Sequence, residues 1–300
     1  MPYTNRFRTT IAALALSTAG LSAPAIASAQ ADVKFASYNA ESAATVNTDP
    51  YSEFLSALTI PERGRTLVAY EIAHAQGLAF MGDYVDYLAN VPVSQLNRDE
   101  QLAYWLNTRN FLLINAISQE GRVRGYKKKR GTPAEPGTFW TQPRITVEGT
   151  ELSLQDIEQD ILFAGWNDPN IMFGLYQGVK GGPALQREPF SGAQVSDQLA
   201  EAARRFNSLP NNLRVRGEKV RISSYYDWYL PLAFDGSEEL LREHVSTLAK
   251  PNDQDAVLTA AKLDRRKLST DFEQYRVRQA SAGSGVSNGG AVRSGGGFGS

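Results

Sequence analysis

Cysteine is absent from the 300 residues, and histidine occurs twice. The first absence excludes disulfides, thiolate nucleophiles and thiolate-held metals. The second leaves too few imidazoles for a His-rich metal centre, and we expect no metal and no other cofactor. Charge of one sign is not in excess either. With 31 Lys and Arg against 32 Asp and Glu, the formal charge is -1, which excludes a globally basic nucleic-acid binder. After Ala29 no run is long and apolar enough to span a bilayer. What remains is a chain with 42% hydrophobic residues, too apolar for general disorder and able to bury a substantial core.

The first residues read as an export signal. Arg6 and Arg8 precede an uncharged stretch from Thr9 to Ala23, Pro24 interrupts it, and Ala27-Ser28-Ala29 has the A-x-A form of a cleavage site. We expect residues 1–29 to be removed, no transmembrane segment afterwards, and a periplasmic or extracellular location. Removing two arginines and no acid makes the mature charge -3. Residues 30–50 are weakly patterned and read as an extended lead-in. The last twenty, Ser281 to Ser300, hold eight glycines and five serines and read as a flexible tail. A single domain is expected over residues 51–280.

Within it, helical spacing predicts a helix from Glu62 to Ala89, bent or divided at Gly77 or Gly82. Asn97 caps a second helix, with Glu100 at its third position. Leu102, Trp105, Leu106, Leu112, Leu113, Ala116 and Ile117 form an apolar stripe along it, ending at Gly121. A hairpin follows over Arg144–Ser153, turning at Gly149-Thr150. Leu154 to Phe163 reads as a short helix capped by Ser153, with Asp156 in its first turn. Further helices are expected over Val195–Phe206 and Ser237–Leu248, and a hairpin pairs Leu213–Val215 with Val220–Ile222. The fold class is α+β, mostly helical, with short β-hairpins.

Three segments carry a resemblance. They are Leu102-Ala-Tyr-Trp-Leu-Asn107 with Asn110, then Leu152-Ser-Leu-Gln-Asp-Ile-Glu158, then Asp168-Pro169 through Phe173 and Gly178 to Pro183. In order and spacing they resemble the family known as domain of unknown function 547, whose motifs run A-F-W-I-N-x-Y-N, S-L-D-D-I-E-H-x-I-L-R and D-P-R-I-H-F-A-L-x-C-G-A-x-S-C-P. The resemblance extends from about residue 55 to about residue 278. Where the family usually has histidine, this chain has Asn115, Gln159 and Met172; where it has cysteine, this chain has Gln177 and Gly182; where it has tyrosine, this chain has Arg109. Thiolate–imidazole chemistry needs both partners, and neither is present, so no catalytic residue is assigned.

The remaining polar residues are read as follows. Arg109 on an apolar stripe needs a carboxylate, which Asp156 or Glu158 would supply as a structural ion pair. Asp156 and Glu158 are two apart and so face away from each other. Asn107, Asn110, Gln177 and Lys180 are the candidate ligand-binding residues, and the positions around Gln177 and Gly182 are expected to line the same cleft as Asn107 and Asn110. Trp105 is expected in the core, and His74 and His244 as packed or surface histidines. Six of the nine residues from Arg122 to Arg130 are basic. Lys127, Lys128, Lys129 and Arg130 could meet a small ligand or an anionic envelope component, but no nucleic acid is expected. The resulting expectation is an exported, non-catalytic protein with a binding or envelope-maintenance role. Its rivals are a hydrolase or transferase with a rebuilt site, and a structural interaction protein.

Overall fold

The computed structural model describes residues 33–62, 65–120 and 131–270. The expected signal segment, the basic segment Arg122–Arg130 with its Lys127, Lys128, Lys129 and Arg130, the stop at Gly121 and the tail 281–300 lie outside them. No helix among the described residues is long and apolar enough to cross a membrane.

Residues 33–48 run without regular structure into helix α1 (Asp49–Leu58). A hairpin follows, β1 (Thr59–Glu62) with β2 (Arg65–Val68), in the register Thr59↔Val68 and Pro61↔Thr66. This corrects the helix expected from Glu62. Leu67 and Tyr70 fit helical spacing with the residues beyond them, but burial along β2 alternates, with Thr66 and Val68 inward, which is the two-residue period of a strand. Helices α2 (Tyr70–Gln76) and α3 (Leu78–Ala89) are divided at Gly77, where a Cβ would lie 2.9 Å from the Ala73 carbonyl oxygen. Gly82 leaves α3 uninterrupted.

Helix α4 (Arg98–Gln119) starts as its sequence predicts, with the Asn97 side chain accepting from the Glu100 N–H at 2.9 Å. Its surroundings exceed the expected stripe, because every residue from Glu100 to Ser118 is buried. It packs against α2, α3 and later elements. After the single turn α5 (Thr138–Thr141) comes the hairpin β3 (Ile145–Val147) and β4 (Thr150–Leu152). Its two-residue turn is Glu148-Gly149, one residue earlier than expected, with φ of 45° and 79°. Ser94 donates to the Glu148 carboxylate from its N–H and its hydroxyl, at 2.9 and 2.8 Å, which ties this turn to the start of α4.

Ser153 and Asp156 form a reciprocal capping box on α6 (Leu154–Asp156), which widens directly into a π-helical segment, Ile157–Phe163. The short α7 (Ile171–Gly174) and the amphipathic α8 (Val195–Ser208) follow. Strands β5 (Leu213–Arg216) and β6 (Lys219–Ser223) pair in the expected register, Leu213↔Ile222 and Val215↔Val220. The aromatic run after them is helix α9 (Tyr225–Ala233). Helix α10 (Glu238–Leu248) is capped by Ser237, and α11 (Gln254–Thr259) leads to β7 (Leu263–Arg266). Strand β7 joins β6 in parallel, giving a three-stranded sheet ordered β5-β6-β7. The architecture is α+β; among the described residues helices surround one hydrophobic core and the strands form three small sheets.

A closed polar centre and a cationic cavity

Trp105 is fully buried on α4, set edge-on between the rings of Phe35 and Tyr104, each 4.8 Å away. One helical turn on, Arg109 is also fully buried, where an unpaired guanidinium would be very costly. Its carboxylate is Glu158, from the π-helical segment: Nε donates to Oε1 at 2.7 Å, and Nη2 also contacts Oε1. Nη2 donates to Gln177 Oε1 at 3.1 Å, and Nη1 donates to the Tyr176 carbonyl. Gln177 Nε2 donates to the Tyr229 hydroxyl at 2.6 Å, and that hydroxyl donates to Glu158 Oε2 at 3.0 Å. Arg109, Gln177, Tyr229 and Glu158 thus form a closed ring of hydrogen bonds drawn from α4, the loop after α7, α9 and the π-helical segment. The Trp140 ring lies 5.5 Å from the guanidinium carbon. Burial, and then the charge of Glu158, push the Tyr229 hydroxyl well above its ordinary pKa, so it remains a donor. Sequence reasoning found Arg109, Glu158 and Gln177 but missed Tyr229; an aromatic-rich run carries no signal that singles out one hydroxyl.

Asp156 is not the partner of Arg109. It faces outward, as its spacing from Glu158 requires, and binds Lys34 Nζ at 2.9 Å. Burial alone would raise its carboxyl, but hydrogen bonds from Ser153 and Lys34 outweigh it and lower the pKa to about 2. Its role is to cap a helix and hold residues near the beginning of the described chain.

Of the four candidate ligand residues, Asn107, Asn110 and Gln177 are buried and Lys180 is exposed. Asn107 pairs both ways with the backbone of Phe190, donating at 2.8 Å and accepting at 2.9 Å. Asn110 donates to the Gly174 carbonyl at 2.8 Å and accepts from the Tyr176 N–H at 2.9 Å. These amides stand in for a backbone strand, fixing two loops against α4. Glu100, which the sequence marked only as part of a cap, does likewise, accepting from Val46 and Gly192 N–H groups at 2.8 and 2.9 Å. Gln177 is in the ring, and Lys180 is exposed on a separate cavity. The motif positions do converge: a Cβ on Gly182 would lie 3.3 Å from the Cβ of Gln177. They converge in a packed interior.

The histidines lie elsewhere. His74 Nδ1 is 2.9 Å from the Ser118 carbonyl. His244 sits between the rings of Phe173 and Phe234, and burial lowers its pKa to about 4, so it is neutral at pH 7.

The cavity at Lys180 encloses ≈ 740 Å³ beside the first hairpin, the glycine-rich loop and the segment after β7. Among the described residues Arg65, Lys180, Arg266 and Lys267 line it with Glu62 as the one carboxylate. The loop's own N–H groups are engaged, Gly181 with the Ser269 carbonyl at 2.9 Å and Gly182 with that of Val179 at 3.0 Å. Side chains therefore supply the positive field, in place of the backbone cradle that glycines can form.

No curated protein and no solved structure matches the chain. Residues 93–206, which contain all three motifs, match the sequence model of the family described as Protein of unknown function, DUF547, and it is this family that the chain resembles over that span.

Proposed function

We propose that the chain is an exported, non-catalytic relative of this family that binds an anionic ligand, with a binding or envelope-maintenance role in the periplasm or outside the cell. The observation that carries the reading is the closed centre. At the positions where the family has cysteine the chain has Gln177 and Gly182, and the space around them is filled by the buried Arg109, Glu158 and Tyr229. A nucleophile needs an accessible reactive group beside a base. Gln177 is buried and is neither near neutral pH. The cavity supports an anion as ligand, since Lys180, Arg266 and Lys267 outnumber the carboxylates among its described lining residues. The basic residues Lys127 to Arg130 offer a further contact to an anionic envelope component.

Thermal unfolding with inorganic phosphate tests the binding. Saturation at 100 times the dissociation constant should stabilise the protein by about 2.7 kcal/mol. Lys180→Met/Lys267→Met should abolish that gain. An unchanged gain in the double variant would place the anion elsewhere. Hydrolysis of a phosphate monoester, abolished by Glu62→Gln with folding intact, would overturn the non-catalytic reading.

A further inference from the structure

The hairpin β5–β6 presents two unlike faces. Val220 and Ile222 are buried, with Leu213 and Val215 packed against the same core. The alternate residues Arg214, Arg216, Lys219 and Arg221 surround a separate depression of ≈ 290 Å³. Register makes them two cross-strand pairs of like charge, Arg214 opposite Arg221 and Arg216 opposite Lys219. Paired strands lie about 4.8 Å apart, and alternate residues about 6.8 Å apart along a strand. Four cations are therefore held at the corners of a small quadrilateral.

None of the four has an ion pair or side-chain hydrogen bond among the described residues. Asp264 on β7 stands opposite Arg221; its carboxylate pairs with Lys262 Nζ at 3.0 Å and feels Arg221 and Lys219 through their charge alone, so one carboxylate offsets part of a field of four cations. Glu218 is in the exposed turn and does not line the depression. Like charges directly opposite each other destabilise a strand pair. The apolar face anchors the hairpin through Val220 and Ile222. Three of the four are arginines, whose planar fork binds phosphate oxygens two at a time.

We propose that this face is a binding site for clustered phosphate, a ligand with at least two adjacent phosphoryl groups. One phosphate bridges the Arg214–Arg221 pair and the next bridges Arg216–Lys219, turning both repulsive pairs into charge-assisted hydrogen bonds. The site is distinct from the cavity at Lys180 and does not depend on it.

The test is calorimetric titration of the mature full chain with tripolyphosphate, at several salt concentrations. Arg214→Gln/Arg221→Gln should weaken binding at least tenfold and flatten its salt dependence. It should also raise the melting temperature without ligand, because a repulsive pair is gone. Lys180→Met/Lys267→Met should leave unchanged the binding step that Arg214→Gln/Arg221→Gln removes, which separates this site from the cavity. The charge-matched control Arg204→Gln/Lys250→Gln, on exposed positions away from the hairpin, should also leave it unchanged. Equal weakening by the control would reduce the effect to net charge and overturn the proposal. A fall in the unliganded melting temperature of Arg214→Gln/Arg221→Gln would overturn it too, by making the arginines structural. Binding to phosphatidylglycerol vesicles with none to tripolyphosphate would assign the face to a membrane surface instead.

Discussion

Glu158 accepts from two directions in a place that water does not reach, and each of its oxygens has its own donor. That arrangement makes the pair with Arg109 expensive to break and ambiguous in its net contribution to stability. Buried ion pairs typically return little over an apolar substitute, whereas removal of one partner strands the other. We therefore predict that Glu158→Gln lowers unfolding free energy by about 3–5 kcal/mol in urea titration. Arg109→Met should do the same, and the double variant should lose clearly less than the sum of the two. Additive losses would mean that the two side chains do not depend on each other. The sequence already required a carboxylate for Arg109, because an isolated guanidinium on an apolar stripe is untenable. It left Asp156 and Glu158 open, since both lie in the same short segment and only the turn of that segment decides which one points inward. Cysteine restored at position 177 would leave Arg109 Nη2 and the Tyr229 hydroxyl each without the amide that now links them.

Among the elements, those with a strong local signal were legible. Asn97 with Glu100, and Ser153 with Asp156, mark helix starts because their side chains replace hydrogen bonds the backbone cannot make for itself. The β5–β6 hairpin was legible from alternation around Gly217, which has a φ of 55°. Strand β7 was not: Leu263-Asp-Arg-Arg266 is short and mostly charged, and becomes a strand only because β6 offers it an edge. The full burial of α4 was hidden for another reason. Its periodicity shows one apolar stripe, but Gln101, Asn107 and Asn110 on its other sides are buried through bonds to distant loops. Tertiary partners, which no window of sequence contains, complete the burial. For Trp105 both views agree, and we predict that Trp105→Ala costs about 3–5 kcal/mol through lost contacts and a residual cavity. A calorimetric loss under about 1 kcal/mol would show that α4 repacks freely around the gap.

For the whole molecule, export is a reading of the first residues, from the uncharged run through Ala27-Ser28-Ala29. Mass spectrometry of the protein from its native cells should find a mature chain beginning near Gln30 and recovered outside the cytoplasm. An intact Met1 on the bulk of the protein would refute this. The burial of the amide positions in a packed interior was not legible either. Motif spacing implied that Asn107, Asn110 and Gln177 draw together in space, but whether converging residues enclose a void or fill one depends on side-chain volume from every neighbouring element. The placement of α4 has a consequence in time. A ribosome releases the chain from its N-terminus, so this helix emerges well before Glu158, Tyr176, Phe190 and Tyr229, the groups that neutralise or pair its buried polar side chains. Until Glu158 arrives, 49 residues further on, Arg109 lacks the carboxylate that it pairs with in the fold. Folding of this centre therefore rests on contacts of high sequence separation, which form slowly and late. A nascent chain halted after α4 is an open substrate for proteases and chaperones, and the last-made half decides when the first-made half becomes native.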